Sequence, residues 1–139
     1  MDTDTLIQTE TLIKVPFHDV DSMGVAWHGH YAKYLEVARC EFLDEVGYNY
    51  DAMEQSGYMW PIIDMQIKYV KPLRFDQVVR VVTQLAEWEY RLKLKYVIYD
   101  QTTGERLCKA HTSQVAVDGK TGEMCFQSPQ ILIERLGKH

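Results

Sequence analysis

The chain has 139 residues, 46% apolar and 25% charged, which suits a single soluble domain with a substantial core and excludes intrinsic disorder. A net charge of −5 without a dense run of lysine and arginine argues against nucleic-acid binding. No apolar run approaches the ~20 residues of a membrane span, and the polar start MDTDTLIQTE resembles neither a signal nor a transit peptide.

In chain order, Ile13, Val15 and Phe17 share one parity and predict a short first strand over 11–17, with Pro16 marking an edge or bulge. Residues 18–27 are rich in His, Asp, Ser and Gly and break regularity. From His28 to Val46, the spacing of Tyr31, Leu35, Ala38, Phe42 and Val46 lays one apolar stripe along a helix. Gly47 is placed to end that helix in a left-handed conformation. A polar loop follows. Ile63, Met65, Ile67 and Tyr69 then alternate with Asp64, Gln66 and Lys68, which predicts a half-buried strand.

Further strands are expected over 78–85, 90–98 and 107–117, with a hairpin loop at Asp100–Gly104. Asp118-Gly119 and Thr121-Gly122 are turn signals. Ser128-Pro129 offers an N-cap and a first-turn proline for a last helix ending near Gly137. With no repeat or linker, residues 1–139 read as one α+β domain whose helix buries its stripe on an antiparallel sheet. Exposed sheet edges favour self-association.

The chemistry concentrates in VPFHDVDSMGVAWHGHYAKYLEVAR, residues 15–39. Two carboxylates there precede a helix N-terminus, whose free N–H groups can stabilise an oxyanion while a carboxylate attacks or activates water. A loop rich in Asp and Gly is commonplace, and taken alone Asp21 is better explained as a turn-capping residue.

The run Phe17-His18-Asp19-Val20-Asp21-Ser22-Met23-Gly24-Val25 resembles the active-site signature of the 4-hydroxybenzoyl-CoA thioesterase family of hotdog-fold proteins. Trp27-His28, Tyr31, Glu36 and Arg39 continue the likeness, most closely to its Tol-Pal-associated acyl-CoA thioesterases. Ile67-Lys68-Tyr69, Pro72 and Phe75-Asp76 match the next strand and turn. The resemblance implies a hotdog fold, a long helix wrapped by a five-stranded antiparallel sheet, assembled as a homodimer or homotetramer with active sites between subunits. It implies an acyl-CoA substrate and no metal or other cofactor. It makes Asp21 the catalytic carboxylate and the backbone N–H at His28 the donor to the thioester carbonyl, and it assigns Gly24, Val25 and Tyr31 to substrate binding.

Asp19 is expected to brace the loop backbone, and Glu36 to pair with Arg39 across the helix surface. His18 and His30 read as surface residues. A metal site built from these His and Asp side chains fits no recognised spacing. A hotdog hydratase or dehydratase, or a module that binds acyl-CoA or acyl carrier protein without hydrolysis, are the alternatives. Cys40, Cys108 and Cys125 are odd in number and lack metal spacing, as in a reduced cytoplasmic protein.

Overall fold

The computed structural model describes residues 7–137. Its central helix α1 spans Tyr31–Glu45, preceded by a 3-10 turn at His28–His30. All five residues of the apolar stripe are buried, Leu35, Ala38 and Phe42 completely. Each large apolar side chain so buried contributes about 1.5–3 kcal/mol, so tertiary burial holds the helix in place. Gly47, at φ +74°, takes the left-handed position that stops it.

The stripe rests on a five-stranded antiparallel sheet of order β1-β4-β5-β6-β3. The strands are β1 (Gln8–Lys14), β3 (Ile62–Tyr69), β4 (Val78–Glu87), β5 (Leu92–Asp100) and β6 (Arg106–Gln114). Val79, Val81, Thr83 and Leu85 on β4 and Leu92, Leu94, Tyr96 and Ile98 on β5 face the core. The loops after β5 and after β7 (Val117–Asp118) share one construction from one sequence pattern, Asp-x-x-Thr-Gly-Glu. Asp100 and Asp118 each accept two backbone N–H bonds through Oδ1, and Gly104 and Gly122 close the turns at φ +75° and +73°.

Several expectations are corrected. The first strand occupies Gln8–Lys14, because the chain leaves the sheet at Pro16, which opens a 3-10 turn at Phe17–Asp19. Phe17 is therefore exposed and packs edge-on against Phe75. The polar loop contains a short helix, α2 (Tyr50–Gln55), capped by the Asn49 side chain accepting from the Ala52 N–H at 3.0 Å. The last long strand stops at Gln114, and Val117–Asp118 instead pairs with β2 (Tyr58–Met59). The terminal helix α3 (Gln130–Leu136) has Pro129 as its N-cap, and the Ser128 hydroxyl is buried without a partner among the described residues.

Two larger differences concern burial. β3 is an edge strand, and Ile63, Met65 and Tyr69 of its apolar face stay exposed in the single chain. Arg39 does not pair with Glu36. It is 4% exposed and donates from Nε to the Tyr50 hydroxyl at 2.9 Å.

Candidate active site

Local backbone chemistry turns the irregular stretch before α1 into a small hairpin. Val20 bridges Ala26, the Asp21 N–H donates to the Val25 carbonyl, and the Gly24 N–H to the Asp21 carbonyl. The Asp21 Oδ1 accepts from the N–H groups of Met23 at 2.9 Å and Val25 at 3.2 Å. Asp21 thus braces its own turn while its side chain stays exposed.

Gly24 makes the reversal at φ +75°, and a Cβ there would meet nothing within 4 Å. Only backbone strain opposes a side chain, so Gly24→Ala is expected to destabilise the fold by about 1–2 kcal/mol. Urea denaturation monitored by tryptophan fluorescence measures this.

The hairpin is stitched to the chain between β3 and β4. Ala26 donates to the Leu73 carbonyl at 2.7 Å, Phe75 donates to the Gly24 carbonyl at 2.8 Å, and Val25 bridges Arg74. Tyr31, in the first turn of α1, accepts from the Leu73 N–H through its hydroxyl at 3.0 Å. It is buried and packs on Tyr69 with ring centroids 4.9 Å apart. Tyr31 and Val25 line a cavity of about 340 Å³ with Tyr69, Val70 and Lys71. The structure therefore brings Asp21, Gly24, Val25 and Tyr31 to one end of the sheet. The His28 backbone lies in the 3-10 turn before α1, and its side chain falls outside what is described.

The two carboxylates of the Asp-x-Asp pair diverge. The Asp19 side chain is 1% exposed. Its oxygens accept from Lys33 Nζ at 2.6 and 2.7 Å and from the Tyr34 hydroxyl at 2.7 Å. Burial alone would raise its pKa, but the hydrogen bonds from Lys33 and Tyr34, with the nearby charges of Lys33 and His30, hold it below the ordinary value. Asp19 therefore braces the first turn of α1 through side chains. The expected bond to the loop backbone is replaced by its own carbonyl, which accepts from the Trp27 N–H. With Lys33 on both its oxygens, this carboxylate is already neutralised, against the metal reading.

His18 is exposed, as expected. His30 is more than a surface residue: its Nδ1 lies 3.8 Å from Asp19 and its ring stands edge-on to Trp27. Lys33 and Tyr34 were not singled out in the sequence. They lie 14 and 15 residues past Asp19, so no near-neighbour pattern in the sequence links them to it.

The long helix against a five-stranded antiparallel sheet defines a hotdog-fold protein. The chain belongs to the thioesterase-like superfamily, whose profile matches residues 15–133. It is 32% identical over 107 residues to YneP of Bacillus subtilis, a protein named for acyl-CoA thioesterase activity, covering 76% of this chain and 77% of that one. The DHNA-CoA thioesterase of Staphylococcus aureus superimposes with a TM-score of 0.83 at 27% identity, over 94% of this chain and 89% of that one. A 4-hydroxybenzoyl-CoA thioesterase bound to 4-hydroxybenzoyl-CoA shares the fold, with a TM-score of 0.80 at 18% identity over 93% and 98% of the two chains.

Proposed function

We propose that this protein hydrolyses acyl-CoA to the free acid and CoA, with Asp21 as its catalytic carboxylate. The observation that carries this reading is the contrast within the Asp-x-Asp pair. Asp19 is buried and neutralised, whereas Asp21 stands exposed in a hairpin braced against the start of α1. A thioester carbonyl is electrophilic and its thiolate leaves readily, so one carboxylate and one oxyanion donor suffice.

Asp21 either attacks the carbonyl carbon, expelling CoA thiolate and forming an anhydride that water cleaves, or takes a proton from the attacking water. The His28 N–H serves as the oxyanion donor, and the Tyr31–Val25 cavity receives substrate next to the scissile bond. Trp27, Tyr31, Glu36 and Arg39 support a narrower likeness to the Tol-Pal-associated thioesterases. Three cysteines outside any disulfide suit a reducing cytoplasm. A panel of short, long and aromatic acyl-CoAs, followed by release of free thiol, tests the reading. Turnover of at least one is expected, and a folded protein that binds them all without turnover overturns it.

The active unit in this proposal is a dimer built on β3. That strand offers an unpaired edge and an exposed apolar face at Ile63, Met65 and Tyr69. A cavity of about 630 Å³, with Met53, Met59 and Trp60 in its lining, flanks the start of β3, and the Val25–Tyr31 cavity flanks its end. Between them runs β3, whose eight residues span about 24 Å. Antiparallel pairing of β3 with its copy brings the large cavity of one subunit to the Asp21 hairpin of the other. Introducing Ile63→Asp with Met65→Asp is expected to weaken dimerisation at least about a hundredfold. Light scattering across a dilution series reads the mass of each species, tetramer included; an unchanged dimer would refute the β3 interface.

A further inference from the structure

The face of the sheet turned away from α1 carries a groove of about 490 Å³ across β3, β5 and β6. Lys68, Lys95, Arg106 and Lys109 line it, and no Asp or Glu does. All four are exposed, and none makes an ion pair among the described residues. His111, also in the lining, is held by Asp64 at 3.2 Å. In a chain of net charge −5, this concentration of unpaired cations stands against the overall balance.

The register makes it costly. Lys68 sits directly opposite Lys109, which puts two like charges at a cross-strand spacing of about 5 Å, an arrangement that destabilises a sheet. Lys95 lies on β5 two residues before Val97, which pairs with Lys109, so three ammonium groups converge with the Arg106 guanidinium on one concavity. Val97, paired with Lys109, is the apolar side chain between them, while Ile67 and Ala110 turn theirs to the core.

We propose that this groove binds a small phosphorylated ligand of the nucleotide class, with two or more phosphate groups against the cations and its organic part against Val97 and the lysine stems. Its volume falls within the range of small-molecule sites. Lysines supply point charges and Arg106 supplies a forked donor, the two means by which proteins hold phosphate. Edge pairing of β3 uses backbone groups and leaves this outer face open. The inference goes beyond the Asp21 reaction, since it assigns a second site on the other face of the sheet. Two sources share the chemistry: the bisphosphorylated nucleotide end of CoA itself, or a free nucleotide.

The test is calorimetric titration of the full-length protein at low salt with adenosine 3′,5′-bisphosphate and, separately, with pyrophosphate. Binding is expected, at least about tenfold weaker in a Lys68→Gln/Lys109→Gln double variant, and weakened again by added salt. A Lys95→Gln/Arg106→Gln pair provides the same comparison if the first variant fails to fold. No binding by the wild type at millimolar ligand, or unchanged affinity in a folded variant, overturns the proposal. Steady-state assays then separate the sources. A KM raised for acyl-CoA but not for the phosphate-free acyl-pantetheine identifies the substrate's own nucleotide end, and an unchanged KM identifies a free nucleotide. Calorimetry needs no turnover, so failure of the hydrolysis reading would leave this result standing.

Discussion

Replacing Asp21 with asparagine is expected to lower kcat for acyl-CoA hydrolysis by about 10²–10⁴-fold while leaving the fold intact. The asparagine variant is the more informative one because Asp21 has two duties. Its Oδ1 accepts from the Met23 and Val25 N–H groups and so shapes the hairpin. An asparagine carbonyl oxygen accepts the same two bonds, so the turn survives and only the charge and basicity are lost. Asp21→Ala removes chemistry and turn bracing together, and it is expected to be as inactive and slightly less stable. Thiol release paired with circular dichroism reads both properties. Near-normal turnover in the asparagine variant would show that the carboxylate serves only the turn.

The second large effect falls on Asp19. Lys33→Met removes the cation from a carboxylate that is 1% exposed and leaves that charge facing only Tyr34 and the two nearby histidines. Breaking one side of a buried pair costs about 3–5 kcal/mol, but the Lys33 side chain is 46% exposed and partly screened by water. The expected loss is therefore about 2–3 kcal/mol.

Its pH dependence follows from linkage. The folded-state pKa of Asp19 lies below its ordinary value of 3.8, so the folded state binds fewer protons than the unfolded one around pH 4. The stabilisation is fully present above the unfolded pKa and is lost as pH falls through the folded pKa. Urea denaturation at pH 7 and near pH 3 should show the gap between wild type and Lys33→Met narrowing at the acid end. A gap that stays constant with pH would mean that Lys33 stabilises the protein through packing rather than charge.

What was legible in the sequence was whatever depends on near neighbours. The 3.6-residue stripe from Tyr31 to Val46 marked α1, because a helix brings residues three and four apart onto one face wherever it packs. Alternation along 92–98 marked the central strand for the same reason at period two. Gly47 and the Asp-x-x-Thr-Gly-Glu loops are backbone devices complete within a few residues. The hairpin at Asp21 belongs with them: Gly24 and the Asp21 side chain close it locally, and the family motif covers that stretch.

What the tertiary structure decided was which of these surfaces has a partner. The alternation of β3 predicted a buried face, but strand order set it at the sheet edge, where Ile63 and Met65 stay exposed. Spacing alone put Arg39 beside Glu36. Docking of α2 turned it inward to Tyr50. Asp19 and Asp21 are two residues apart and chemically identical, yet one is sealed under Lys33 and Tyr34 and the other faces solvent. The cations of β3, β5 and β6 were dispersed along the chain as ordinary strand faces until antiparallel register lined them up. Periodicity assigns a residue to a face, but burial, charge pairing and desolvation depend on contacts between residues distant in the chain, and only the assembled sheet and helix fix those.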